Sequence, residues 1–202
     1  MFYLDTGSDD RPGFHHLSSA NNWVYWISGA LPDEADDEVK RRLRSNLKHI
    51  LVGLEMKAGL ILPHCKRIWG RKVLFEPYCK IMIFEFCVGV FSICEGFGSI
   101  HYLVSRNDDG SAGTQVNYKK WSSTLKSTFD NDGEAGLGEK LEIVMSIRDK
   151  IHQDKLGARS DIDWHDFSYQ GAFVPAMQAL QIIFNQNPER IPQTTNLTEQ
   201  LD

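Results

Sequence analysis

The stretch EPYCKIMIFEFCVGVFSICEGFGSIHYLVSR, residues 76–106, decides the fold. Glu76-Pro77 is a helix-opening pair, since a proline at the first helical position surrenders only an N–H that the helix would leave unbonded anyway. Behind it Ile81, Ile83, Phe84, Phe86, Val88, Val90, Phe91, Ile93 and Phe97 leave almost no polar side. A helix apolar all round is buried at the centre of its bundle. Ile81 to Leu103 also reaches the length of a membrane span, but Glu85, Glu95, His101 and three glycines interrupt it, so a bundle helix is expected and no membrane partner. Glu85 and Glu95 are then the polar residues expected inside the bundle, either ion-paired there or emerging at a helix edge.

Outward from this helix the chain continues in helical periods. After Pro32, Asp33, Glu34, Asp36 and Asp37 suit a helix N-terminus, and Val39, Leu43, Leu47, Ile50, Leu51, Leu54, Ala58 and Ile61 form an amphipathic stripe. The opposite face carries Lys40, Arg41, Arg44 and Lys48, a solvated basic side. The loop NDDGSAGT (107–114) leads to a shorter helix marked by Tyr118, Trp121, Leu125 and Phe129. A second loop, DNDGEAGLG (130–138), precedes a helix expected from Glu139 to Lys155, and a last one starts near Ser168 with Phe173, Ala176, Met177, Leu180, Ile183 and Phe184 as its stripe and Pro175 as a kink point. No long segment alternates with period two and no repeat is visible. The fold class expected is all-α, a four- to five-helix bundle: residues 1–31 an irregular aromatic arm, 32–186 the helical domain, 187–202 a flexible polar tail.

With 202 residues the chain can bury a core without staples, and 42% hydrophobic, 24% charged and a net charge of −5 describe an ordinary globular protein. Any polyanion contact must therefore rest on a local patch. Cys65, Cys79, Cys87 and Cys94 form no CxxC pair and lie in or beside apolar segments, as reduced thiols do, and the first ten residues lack a signal-peptide pattern; a cytoplasmic protein is expected. His15, His16, His49, His64, His101 and His165 show no HxxxH, HExxH or Cys/His spacing, so neither metal nor cofactor is expected. The acidic string Asp161, Asp163, Trp164, His165, Asp166 is explained more simply as a helix-start loop than as a cation site.

Chemistry concentrates in Arg148-Asp149-Lys150-Ile151-His152. On a projection of about 100° per residue Arg148 and His152 fall between Val144 and Met145, on either side of Leu141, so two basic groups share an apolar face. Such a face must meet a carboxylate, a second subunit or an anionic ligand. A histidine can transfer protons, an arginine can hold a phosphate bidentately, and Asp149 can orient either. The internal alternative pairs Arg148 with Glu95 or Glu85 and leaves His152 as a satisfied core histidine.

The string SIRDKIHQDKLG (146–157), late in a helical chain and after a long apolar helix, resembles the HEPN superfamily over residues 33–186. That family's motif is an arginine, a polar residue, a few variable residues and a histidine; three residues separate Arg148 from His152, one fewer than its usual minimum. The resemblance implies a dimer with facing motifs that binds RNA or a nucleotide, acts as a metal-independent endoribonuclease in a defence or toxin–antitoxin system, and has an antitoxin-type protein as a further partner. On that resemblance Arg148 would contact the scissile phosphate, His152 would move protons and Asp149 would fill the polar position; apart from the resemblance, Glu95 is a supporting candidate. The alternatives are a non-catalytic interaction module of the same fold, with Arg148 and His152 at a subunit interface, and a bundle that takes a small apolar ligand beside Glu95.

Overall fold

The computed structural model describes residues 3–5, 14–16, 18–66, 74–150 and 163–201. Among the described residues six helices, α1 (Ala20–Ala30), α2 (Asp37–Cys65), α3 (Glu76–Ser105), α4 (Tyr118–Phe129), α5 (Leu137–Asp149) and α6 (Val174–Phe184), form the expected all-α bundle. Beside them, two three-residue strands, Tyr3–Asp5 and Phe14–His16, pair in parallel, Tyr3 opposite Phe14 and Asp5 opposite His16.

α3 is the central helix, packed by α2, α4, α5 and α6. By length and composition it could cross a bilayer; half of its most apolar window is buried inside the bundle. Phe86, Cys87, Val90, Ile93, Cys94 and Phe97 on it are fully enclosed. Its glycines set the distances: a Cβ on Gly98 would stand 2.6 Å from the Trp121 carbonyl oxygen of α4, and one on Gly89 would stand 2.8 Å from Leu54 Cδ2 of α2. Hydrogen atoms at these positions let both neighbouring helices sit against α3.

Helix starts follow local chemistry. Asp36 Oδ1 accepts from the backbone N–H groups of Glu38 and Val39 at 2.9 and 3.0 Å, which caps α2, and Asn117 Oδ1 accepts from Lys120 N–H at 3.1 Å to cap α4. In the loop before α5, Asp130 accepts from the amides of Ala135 and Leu137, and Gly136 turns the chain at φ +70°. Ser168 Oγ accepts from Gly171 N–H ahead of a single π-helical turn, Tyr169–Phe173, which runs directly into α6 with Pro175 in its first turn.

Three expectations are corrected. Part of the arm is a helix: in α1, Trp23, Trp26, Ile27 and Ala30 recur at i, i+3, i+4, i+7 and are buried, Trp23 stacked 5.4 Å from Phe184 and Trp26 edge-on to Phe97 and Phe184. The tail is docked: Leu197 is fully buried, Gln181 Nε2 donates to the carbonyls of Leu197 and Glu199, and Asn196 Nδ2 donates to the Glu55 carbonyl. Glu85 and Glu95 are exposed, Glu85 reaching Lys57 Nζ at 3.6 Å; among the described residues the carboxyl that the bundle encloses is Glu55 of α2, which lies on the stripe between Leu51 and Ala58. Its Oε2 accepts from Ser18 N–H at 3.0 Å, while Oε1 has no hydrogen-bond partner among the described residues.

Candidate functional site

α5 docks through Leu137, Leu141, Val144 and Ile147, and its last turn carries Arg148 and Asp149. Ile147 takes the buried direction there, so Arg148 emerges at the rim of the apolar face rather than within it. Its guanidinium lies over the ring of Phe91, 5.1 Å from the centroid, and Nη1 donates to Asp149 Oδ1 at 2.7 Å. The two side chains remain 39% and 43% exposed. Phe91 is nearly parallel to Tyr118 at 6.5 Å and edge-on to Trp121 at 5.4 Å, so α3 and α4 together supply an aromatic shelf under the arginine.

Phe91 and Asp149 hold the guanidinium from two sides, and a side chain 39% exposed leaves it accessible to a phosphate or carboxylate oxygen. Burial, then the negative charges of Glu142 and Asp149, push the Tyr118 hydroxyl above its ordinary value against a hydrogen bond with Ser122 that lowers it. Tyr118 is therefore a hydrogen-bond donor across the neutral range. Lys150 pairs with Asp166 of the single turn Trp164–Asp166, which holds the end of α5 against that turn. The charges of Arg148 and Lys150 are thus matched one for one by Asp149 and Asp166.

Of the residues singled out in the sequence, Arg148 and Asp149 are brought together, with Asp149 bound to the arginine. His152 lies outside the described residues. Among the described residues no ion pair joins Arg148 to Glu95 or Glu85. Glu95 instead stands on the wall of a surface groove of about 340 Å³ between α2 and α3, floored by Leu43, Leu47, Ile50 and Ile100. Phe91 and Tyr118 are the site residues that sequence reading takes only for core, because nothing in their spacing announces an arginine from another helix.

No family model, no curated protein and no solved structure matches this chain. The class that fold and site define is an all-α bundle with a surface arginine held on an aromatic shelf.

Proposed function

We propose that this is a HEPN-like helical protein, dimeric through the Arg148 face, that binds RNA or a nucleotide there and cleaves RNA without metal in a defence or toxin–antitoxin setting. The observation that carries this reading is the presentation of Arg148: oriented by Phe91 and Asp149, accessible to solvent, and bound to neither bundle glutamate. A fixed planar fork offers two parallel N–H bonds to a phosphate without first losing side-chain freedom. In the proposed reaction Arg148 stabilises charge on the phosphate oxygens, and His152 takes the proton of the attacking hydroxyl or delivers one to the leaving oxygen. Dimerisation would supply a second, facing copy of the same groups, and an antitoxin-type partner would act by covering them.

The test is cleavage of single-stranded RNA by purified protein in EDTA, with His152→Ala abolishing the activity while helical content and dimer are unchanged. Intact RNA after prolonged incubation with folded wild-type dimer sinks the nuclease reading, and loss of folding in the variant makes His152 structural.

A second reading, a non-catalytic interaction module of the same fold, is favoured by the charge balance around the motif, where Asp149 and Asp166 offset both cations. Under it RNA stays intact and Arg148→Ala shifts the sedimentation profile; an unchanged profile removes it.

A further inference from the structure

The last turn of α2 and the first of α3 bring His64, Cys65 and Cys79 together, with one ligand atom from each within 4.8 Å of the others. His64 and Cys79 are buried, at 2% and 3% exposure, and Cys65 is half-buried. The two Sγ atoms are 4.0 Å apart. A disulfide needs about 2.05 Å. Two thiolates on one tetrahedral zinc, each about 2.3 Å from the metal, stand about 3.8 Å apart. We propose that His64, Cys65 and Cys79 form a binding site for a thiophilic divalent cation of the zinc class.

The other two cysteines show what these thiols are not. Cys87 and Cys94 sit inside α3, where burial pushes each thiol up to about 12, and Cys87 donates to the Ala172 carbonyl. They are packed as small hydrophobes. Cys65 and Cys79 instead border a cavity of about 320 Å³ that Glu76, His165 and Tyr169 also line. This cavity leaves the fourth coordination position accessible to water or to a carboxylate, and Glu76 Oε2 is already 3.9 Å from His64 Nε2. Three protein ligands with one side open is a recurrent zinc arrangement.

His64 Nδ1 accepts from the Leu74 N–H at 3.0 Å. Ligation changes that bond whichever nitrogen is used. Through Nδ1, the cation takes the lone pair that Leu74 now uses; through Nε2, the ring proton moves to Nδ1, which then can no longer accept. In either case the Leu74 amide loses its acceptor, and the two thiols release two protons as thiolates form. The cation would fasten the α2 end to the α3 start across the connection between residues 66 and 74. This site is independent of the Arg148 reading, and its test uses no RNA.

The experiment titrates the reduced, metal-free full chain with cobalt(II). Expected are one equivalent bound, a thiolate-to-cobalt charge-transfer band in the near ultraviolet, intense visible bands of a four-coordinate ion, their loss on adding zinc, and a shifted Leu74 amide resonance in the zinc form. Cys65→Ser and Cys79→Ser each remove the charge-transfer band and Cys87→Ser retains it. No charge-transfer band in the wild type, or a band that survives in both Cys65→Ser and Cys79→Ser, overturns the proposal. If Cys79→Ser loses helicity, the half-buried Cys65→Ser decides alone.

Discussion

The Arg148 guanidinium carbon lies over Phe91, 5.1 Å from the ring centre, while its Nη1 donates to Asp149 at 2.7 Å, so one side chain is anchored by a neighbour in sequence and by a ring from another helix. Both partners of the ion pair are more than a third exposed, which screens it, and a surface cation–π contact contributes about 0.5–1 kcal/mol. Arg148→Ala is therefore expected to lower unfolding stability by less than about 1 kcal/mol in urea titrations. A loss of several kcal/mol would falsify the view that this arginine serves a ligand rather than the core. Arg148→Lys keeps the charge without the planar fork and should retain stability while weakening RNA retention.

Gly98 and Gly53 make a matched pair. A Cβ at Gly98 meets a backbone oxygen of α4 at 2.6 Å, whereas at Gly53 the nearest atom is the mobile Lys57 Nζ at 3.9 Å. Gly98→Ala should cost about 1–3 kcal/mol because α4 must move away. Gly53→Ala, inside α2, should add about 0.5–1 kcal/mol by limiting the unfolded chain. Equal melting temperatures for the two variants would show that α3 and α4 are not in close contact at Trp121.

His101 Nε2 donates to the Ala30 carbonyl at 2.9 Å, and burial, opposed by that hydrogen bond and by Glu34, holds the imidazole below its ordinary value of 6.5. The folded state thus prefers the neutral ring and the unfolded state takes up the proton first on acidification. This contribution is complete above the ordinary value and is lost as pH falls from there through the lowered folded value. The urea midpoint should decline as pH falls below the ordinary histidine value of 6.5, and His101→Gln, which keeps a donor for Ala30, should flatten that decline. A variant with an undiminished slope assigns the acid sensitivity to other groups.

Glu55 is fully enclosed and supplies the acceptor for Ser18 N–H. Glu55→Ala strands that donor and opens space beside Leu51 and Ala58, for an expected loss of about 1–3 kcal/mol from the unmade hydrogen bond alone. Glu55→Gln keeps an acceptor of the same shape and should lose less than half as much. Indistinguishable unfolding curves for alanine and glutamine would place the importance of this position in packing rather than in the bond to Ser18.

What the sequence shows and what it hides divide along sequence distance. The stripes of α2, α4 and α6, the proline at the start of α3 and the Asp130 loop are local patterns, and each element stands where its pattern puts it. The i, i+3, i+4, i+7 signal of α1 is obscured by neighbouring aromatic residues off the stripe, such as the exposed Tyr25. Glu55 reads as an ordinary helix glutamate because the bond that holds it comes from Ser18, 37 residues away. Glu85 and Glu95 take the helix-edge alternative: an apolar 30-residue helix buried along part of its surface still leaves exposed positions, and both lie among them. The Arg148–Asp149 pair is adjacent in sequence, but its shelf comes from α3 and α4. The His64, Cys65 and Cys79 cluster escapes spacing rules because the approach of two helix ends, not a motif, assembles it.

Ser18 Oγ and Thr194 Oγ1 lie 3.3 Å apart, and the segments bearing them are both fastened to the same turn of α2, one at the Glu55 side chain and the other, through Asn196, at its carbonyl. The path from residue 18 to residue 196 is consequently a nearly closed circuit whose two ends share one residue, Glu55, deep in the second helix. A fault in the middle of α2 would therefore reach both the segment before α1 and the segment after α6, although each has further anchors of its own.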